Sequence, residues 1–226
     1  MALRVLVLGE GKSEEGDDYY APEQPGRAIP EECLGAAHVL VRRILIDLAG
    51  SKAPTFVYPP RLRTSRRPGN GGLIADLSGA PRLAANPRQK GWLQKCVGEN
   101  AVDLIVLLKD CKVDGRACGV DVVIGELQSA IAGRLPPRRP KVVKAAAKPS
   151  LEGWLLMMPE SNRVEESQAK AMWASAGFDS GHPPSMAGVA RDLDLAKLQT
   201  TCPASFGGLV AALKMVLALD EAPPSE

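Results

Sequence analysis

The chain alternates short, uniformly apolar runs with longer stretches in which apolar positions recur at helical spacing. Arg4-Val5-Leu6-Val7-Leu8 is a run with no helical period, and it reads as a buried strand. A polar loop rich in Pro and Gly follows, from Gly11 to about Pro30. Over Glu31 to Leu48 the positions Leu34, Ala37, Leu40, Val41, Ile44, Leu45 and Leu48 fall on one face, which predicts a helix that Gly50 is placed to stop. Thr55 to Tyr58 is β-rich and ends at Pro59-Pro60, a second strand. Asn86 to Val97 is a predicted helix, with Asn86 as its cap and Pro87 at the first helical position.

Asp103 to Leu108 is the third predicted strand. A loop from Asp110 to Gly115 then leads into a helix ending near Ala132. The basic connector Arg134 to Pro140 precedes a fourth strand, Lys141 to Ala147. Ser150 is placed to cap a helix over Leu151 to Met158. The rest reads as helices near Asn162 to Ala176, Met186 to Arg191, Asp194 to Leu198 and Phe206 to Leu219.

Strands alternating with helices predict an α/β fold: a mostly parallel central sheet of about four strands flanked by helices, with a helical C-terminal part. The expected organisation is one domain over 1–226, comprising an α/β core (1–158), a helical elaboration (159–219) and a tail (220–226) that should fray.

Composition narrows the function classes. A hydrophobic content of 45% belongs to a folded chain, and an aromatic content of 4% leaves the core to Leu, Val, Ile and Ala. A net charge of +2 excludes general basic character, so any nucleic-acid contact must come from local patches. Five widely spaced cysteines and two histidines give neither a disulfide framework nor a zinc pattern. No apolar run reaches the roughly 20 residues needed to span a bilayer, and the first strand follows Met1 too closely for a targeting segment. The expected location is the cytoplasm, with no membrane partner.

The candidate chemistry lies where apolar strands end in acids. The first strand runs into Gly9-Glu10-Gly11-Lys12-Ser13-Glu14, and the third into Lys109-Asp110. Gly11-Lys12-Ser13 is not a phosphate loop, because the position of the first Walker glycine is Leu6, inside the strand. In a parallel sheet, ligands bind beyond the carboxyl ends of the strands. Glu10 and Asp110 at that edge supply the oxygen ligands that Mg2+ or Mn2+ prefers. Glu14 and Asp114 each lie four residues further on, and Lys12 is a candidate phosphate ligand. Glu152, after the fourth strand, is either a third acid of the site or a carboxylate favoured by its helix dipole. Arg61, Arg63, Arg66 and Arg67, followed by a Gly-rich stretch, form either a solvated loop or an arm gripping nucleic-acid phosphates.

The strand followed by Glu10-Gly11-Lys12-Ser13-Glu14 resembles the opening of Toprim domains in the OLD (overcoming lysogenization defect) nucleases. From Arg4 to Leu217 the chain is also similar to an uncharacterised bacterial Toprim-like family tied to phage defence. The similarity includes Glu152-Gly153-Trp154-Leu155-Leu156 and Cys202-Pro203-Ala204-Ser205-Phe206. The resemblance implies a Toprim-like fold binding Mg2+ or Mn2+ and a nuclease-like effector acting on DNA or RNA. It also implies a partner ATPase, and it leaves self-association open. Toprim enzymes hold metal with the opening glutamate and an Asp-x-Asp pair. Here Glu10 and Asp110 match, but Lys112 stands where the second aspartate belongs. That departure keeps an alternative in view, a catalytically degenerate interaction subunit of a defence complex.

Overall fold

The computed structural model describes residues 3–9, 26–50, 53–58, 102–110, 140–160, 166–178 and 183–221. Its centre is a four-stranded parallel sheet built from β1 (Arg4–Leu8), β2 (Thr55–Phe56), β3 (Leu104–Asp110) and β4 (Lys141–Ala147), in the order β2-β1-β3-β4. The fold is α/β, as the alternation of elements predicts. The apolar runs of β1 and β3 are continuous because both faces of these central strands are buried, whereas β4 at the edge of the described sheet alternates and exposes Lys144. Val5, Val7, Leu104 and Val106 join a core cluster with the helices, while Leu6, Leu8, Ile105 and Leu107 are equally buried outside that cluster.

β1 and β4 occupy the residues predicted for them, whereas β3 runs two residues beyond its predicted end. β4 is long enough to keep pairing, so Lys109 lies opposite Ala146 and Asp110 opposite Ala147. Asp110 is therefore the last residue of a ladder and not the first of a loop. Strand two is shorter than expected: Val57 instead bridges antiparallel to Ala28.

The first predicted helix is divided. A 3-10 turn, Glu31–Cys33, precedes α1 (Ala36–Ala49), which ends at Gly50 with φ 79°, a left-handed conformation that glycine adopts without strain. His38 on α1 is fully buried, edge-on to Phe56 at 5.1 Å. After β4 come α2 (Leu151–Leu155), α3 (Glu166–Ser175), α4 (Pro183–Asp192), α5 (Leu195–Thr201) and α6 (Phe206–Glu221). α6 packs on β4 and α1, α4 packs on α1, and all six of these helices contribute to the same core cluster as the sheet. Long cations tie these layers together. Lys141 Nζ donates to the Val216 carbonyl (2.7 Å), and Arg43 Nη1 donates to the carbonyls of Ala190 and Leu193 at the end of α4. No single helix among the described residues is long and apolar enough to cross a membrane.

The predicted helices over Asn86–Val97 and ending near Ala132 lie outside the described residues, as does residue 222 onward of the tail.

Candidate functional site

The order β2-β1-β3-β4 means that the chain leaves β1 to one side and returns past it to the other. The carboxyl ends of β1 and β3 therefore flank the switch point of the sheet, where α/β proteins open a ligand crevice. β1 ends at Leu8, Gly9 follows, and Glu10 is next in sequence. β3 ends at Asp110. Asp103 precedes the opposite end of β3 and serves the sheet instead. Its carboxylate accepts from the Arg4 backbone N–H (2.9 Å) and ties the two strand starts together.

Asp110 is only 8% exposed, and its Oδ1 accepts from the backbone N–H of Leu151 at 2.9 Å. That N–H belongs to the first turn of α2, where backbone donors have no partner within the helix. Ser150 caps the same turn, with its side-chain oxygen accepting from Gly153 N (3.3 Å). Thus the end of β3 and the start of α2 are joined directly, and Glu152 follows the residue that Asp110 holds. Glu152 is 4% exposed, and its Oε2 has no hydrogen-bond partner among the described residues. A buried carboxylate oxygen without a donor is costly until a donor or a cation completes it.

α2 is shorter than the predicted Leu151–Met158 because it closes in a Schellman turn. Met157, at φ 52°, donates to the Trp154 carbonyl (2.9 Å), and Met158 donates to the Gly153 carbonyl (2.9 Å). Gly153 is required by close packing. A Cβ there would lie 2.7 Å from Pro149 Cδ and 2.9 Å from Pro149 Cγ, and 3.8 Å from Ala169 Cβ on α3. Gly153→Ala is thus expected to destabilise the protein by about 1–3 kcal/mol, although alanine normally favours a helix. Urea unfolding with an unchanged midpoint would contradict this.

One participant escaped the sequence reading. Lys170, next to Ala169 on α3, pairs with Glu166 and feels the charges of Glu152 and Asp110. Burial works to lower its pKa, but the Glu166 hydrogen bond and the charges of Glu152, Glu166 and Asp110 prevail and hold the pKa above the ordinary lysine value. In sequence, Glu166 and Lys170 form an ordinary i,i+4 surface pair, with no sign that two buried acids stand behind it.

The described site is therefore two buried carboxylates and one ammonium at the carboxyl edge of the sheet. Hard oxygen donors and an uncompleted Oε2 fit a Mg2+- or Mn2+-sized cation. Among the described residues no group of three His, Cys, Asp or Glu side chains converges. Glu10, Lys12, Glu14 and Asp114 lie outside the described residues, as do Arg61, Arg63, Arg66 and Arg67. Family models, curated proteins and solved structures were all compared with the chain, and none matches it.

Proposed function

We propose that this chain is a divalent-cation-dependent, phosphodiester-cleaving effector of the Toprim type. It acts on DNA or RNA in the bacterial cytoplasm during anti-phage defence, under the control of a partner ATPase. The observation that carries this reading is the buried Oε2 of Glu152, unpaired among the described residues, on the residue after the Leu151 amide that Asp110 holds. The motif resemblance of the opening Glu10-Gly11-Lys12-Ser13-Glu14 supports it.

Asp110 and Glu152 would hold Mg2+ or Mn2+, with Glu10 and either Glu14 or Asp114 completing the set. When bound, the cation supplies positive charge against the phosphodiester under attack. The chain's own groups orient and balance the rest. Asp110 fixes the N-terminus of α2 and with it the backbone of Glu152. Lys170 offsets part of the negative charge of the acids and leaves a cation near the edge where a phosphate would approach. Lys12 is assigned to a substrate phosphate, and Arg61, Arg63, Arg66 and Arg67 to the nucleic-acid backbone.

A second reading has one observation in its favour. Oδ1 of Asp110 is already engaged by Leu151 N, a structural use that suits an interaction subunit with a degenerate acid set. Cleavage separates the two. Supercoiled plasmid, single-stranded DNA and RNA are incubated with the full-length protein and millimolar Mn2+, with and without the product of the neighbouring gene. Cleavage that EDTA abolishes is expected. No cleavage of any substrate, together with no Mn2+ retained by the protein, leaves the interaction subunit as the surviving reading.

A further inference from the structure

The Cys202-Pro203-Ala204-Ser205-Phe206 segment brings no acid or base to the site, yet the fold attaches it to the helix that carries Glu152. The Trp154 indole N–H donates to Ser205 Oγ at 2.8 Å, and the Trp154 ring meets Phe206 edge-on at 5.3 Å. The Glu160 carboxylate accepts from the backbone N–H groups of Ala204 (2.9 Å) and Ser205. The Cys202 thiol donates to the Met158 carbonyl at 3.2 Å. Burial, with the nearby Glu160 charge, pushes that thiol up to about 11, so it stays a neutral donor. The segment is anchored in turn: the Ser205 carbonyl accepts from Leu209 N at the start of α6, and α6 packs on β4.

We infer that the Cys202–Phe206 turn is a positioning device for Glu152, with Ser205 as the positioning residue. The inference rests on reading Asp110 and Glu152 as a cation site. A helix of five residues cannot hold its own orientation in water, so α2 takes its orientation from its neighbours. Asp110 grips its first amide, a single bond at the helix N-terminus that does not by itself fix rotation about the helix axis. Glu152 and Trp154 are two residues apart, about 200° around the helix, so rotation that displaces one displaces the other in the opposite direction. Trp154 is fully buried, and its N–H needs an acceptor. By supplying that acceptor, Ser205 sets the rotation of α2 and so the place of the Glu152 carboxylate. Groups that orient metal ligands in this way govern metal affinity without touching the metal.

The test compares wild type, Ser205→Ala and Ser205→Thr. The carboxyl resonance of Glu152 is followed by 13C NMR without added cation and assigned by its loss in Glu152→Gln, and Mn2+ affinity is measured by calorimetry. The resonance is expected to move in Ser205→Ala and to return in Ser205→Thr. Mn2+ is expected to bind about tenfold more weakly to Ser205→Ala. A resonance that stays in place while the melting temperature falls would overturn the inference and leave the turn a purely structural clamp. If wild type itself binds no Mn2+, the cation reading falls, while the resonance still decides whether Ser205 positions Glu152. Should Ser205→Ala fail to fold, Ser205→Cys, a weaker acceptor, is read in the same way.

Discussion

Glu152→Gln is expected to lower cation-dependent cleavage by at least about a hundredfold while leaving the protein as stable as wild type, or stabler by about 1 kcal/mol. The two effects have one cause. Glu152 is almost fully buried with one oxygen unpaired among the described residues, a state that raises the free energy of the folded chain until a ligand completes it. Glutamine keeps the volume and removes the charge. It also gives up the attraction of the half-exposed, solvent-screened Lys170 and a favourable interaction with the start of α2, where a carboxylate contributes only about 0.3–1 kcal/mol. Loss of function with a gain in stability marks a residue kept for its chemistry.

Asp110→Ala is expected to behave differently. It also removes activity, but it strands the Leu151 N–H at a cost of about 1–3 kcal/mol. Urea unfolding of the two variants against wild type, alongside plasmid cleavage, makes the comparison. If Glu152→Gln unfolds as readily as Asp110→Ala, the Glu152 carboxylate is structural and its assignment to the site is wrong.

The largest effect on stability is expected at Trp154. Trp154→Ala should cost about 3–5 kcal/mol, because it removes a fully buried ring and leaves a cavity bounded by rigid elements. The edge-on contact with Phe206 adds to the loss from burial alone. Trp154→Phe keeps most of the apolar volume but loses the hydrogen bond to Ser205, so it should cost only about 1 kcal/mol. Denaturant titration followed by far-UV circular dichroism measures both. Equal costs for the two variants would mean that the hydrogen bond, and not the ring, holds α2 to the C-terminal turn.

The elements most readable in the sequence are those whose neighbours impose no choice. β1 keeps its predicted ends because an apolar run buried on both faces admits one reading, and β4 because its alternation, with Lys144 exposed between buried Val143 and Ala145, has the period of a strand. Gly50 stops α1 as expected because a left-handed residue is a local matter. Elements whose ends depend on a partner depart from the pattern. β3 extends to Asp110 because β4 is there to pair with it. α2 stops early because its last turn closes on carbonyls within a packed site, leaving Met157 at positive φ.

The candidate site divides in the same way. By itself the sequence determined that acids follow apolar strands, that Glu152 opens a helix behind a Ser150 cap, and that the sheet is parallel. These follow from periodicity and capping, which act over a few residues. Only the tertiary structure decided that Asp110 grips Leu151, that Glu152 is buried with an oxygen unpaired among the described residues, that Lys170 feels the charge of both acids, and that Ser205 holds Trp154. Most of these relations join residues tens of positions apart, and no local pattern encodes them. They exist because the packed sheet and helices fix α2 between the end of β3 and the start of α6.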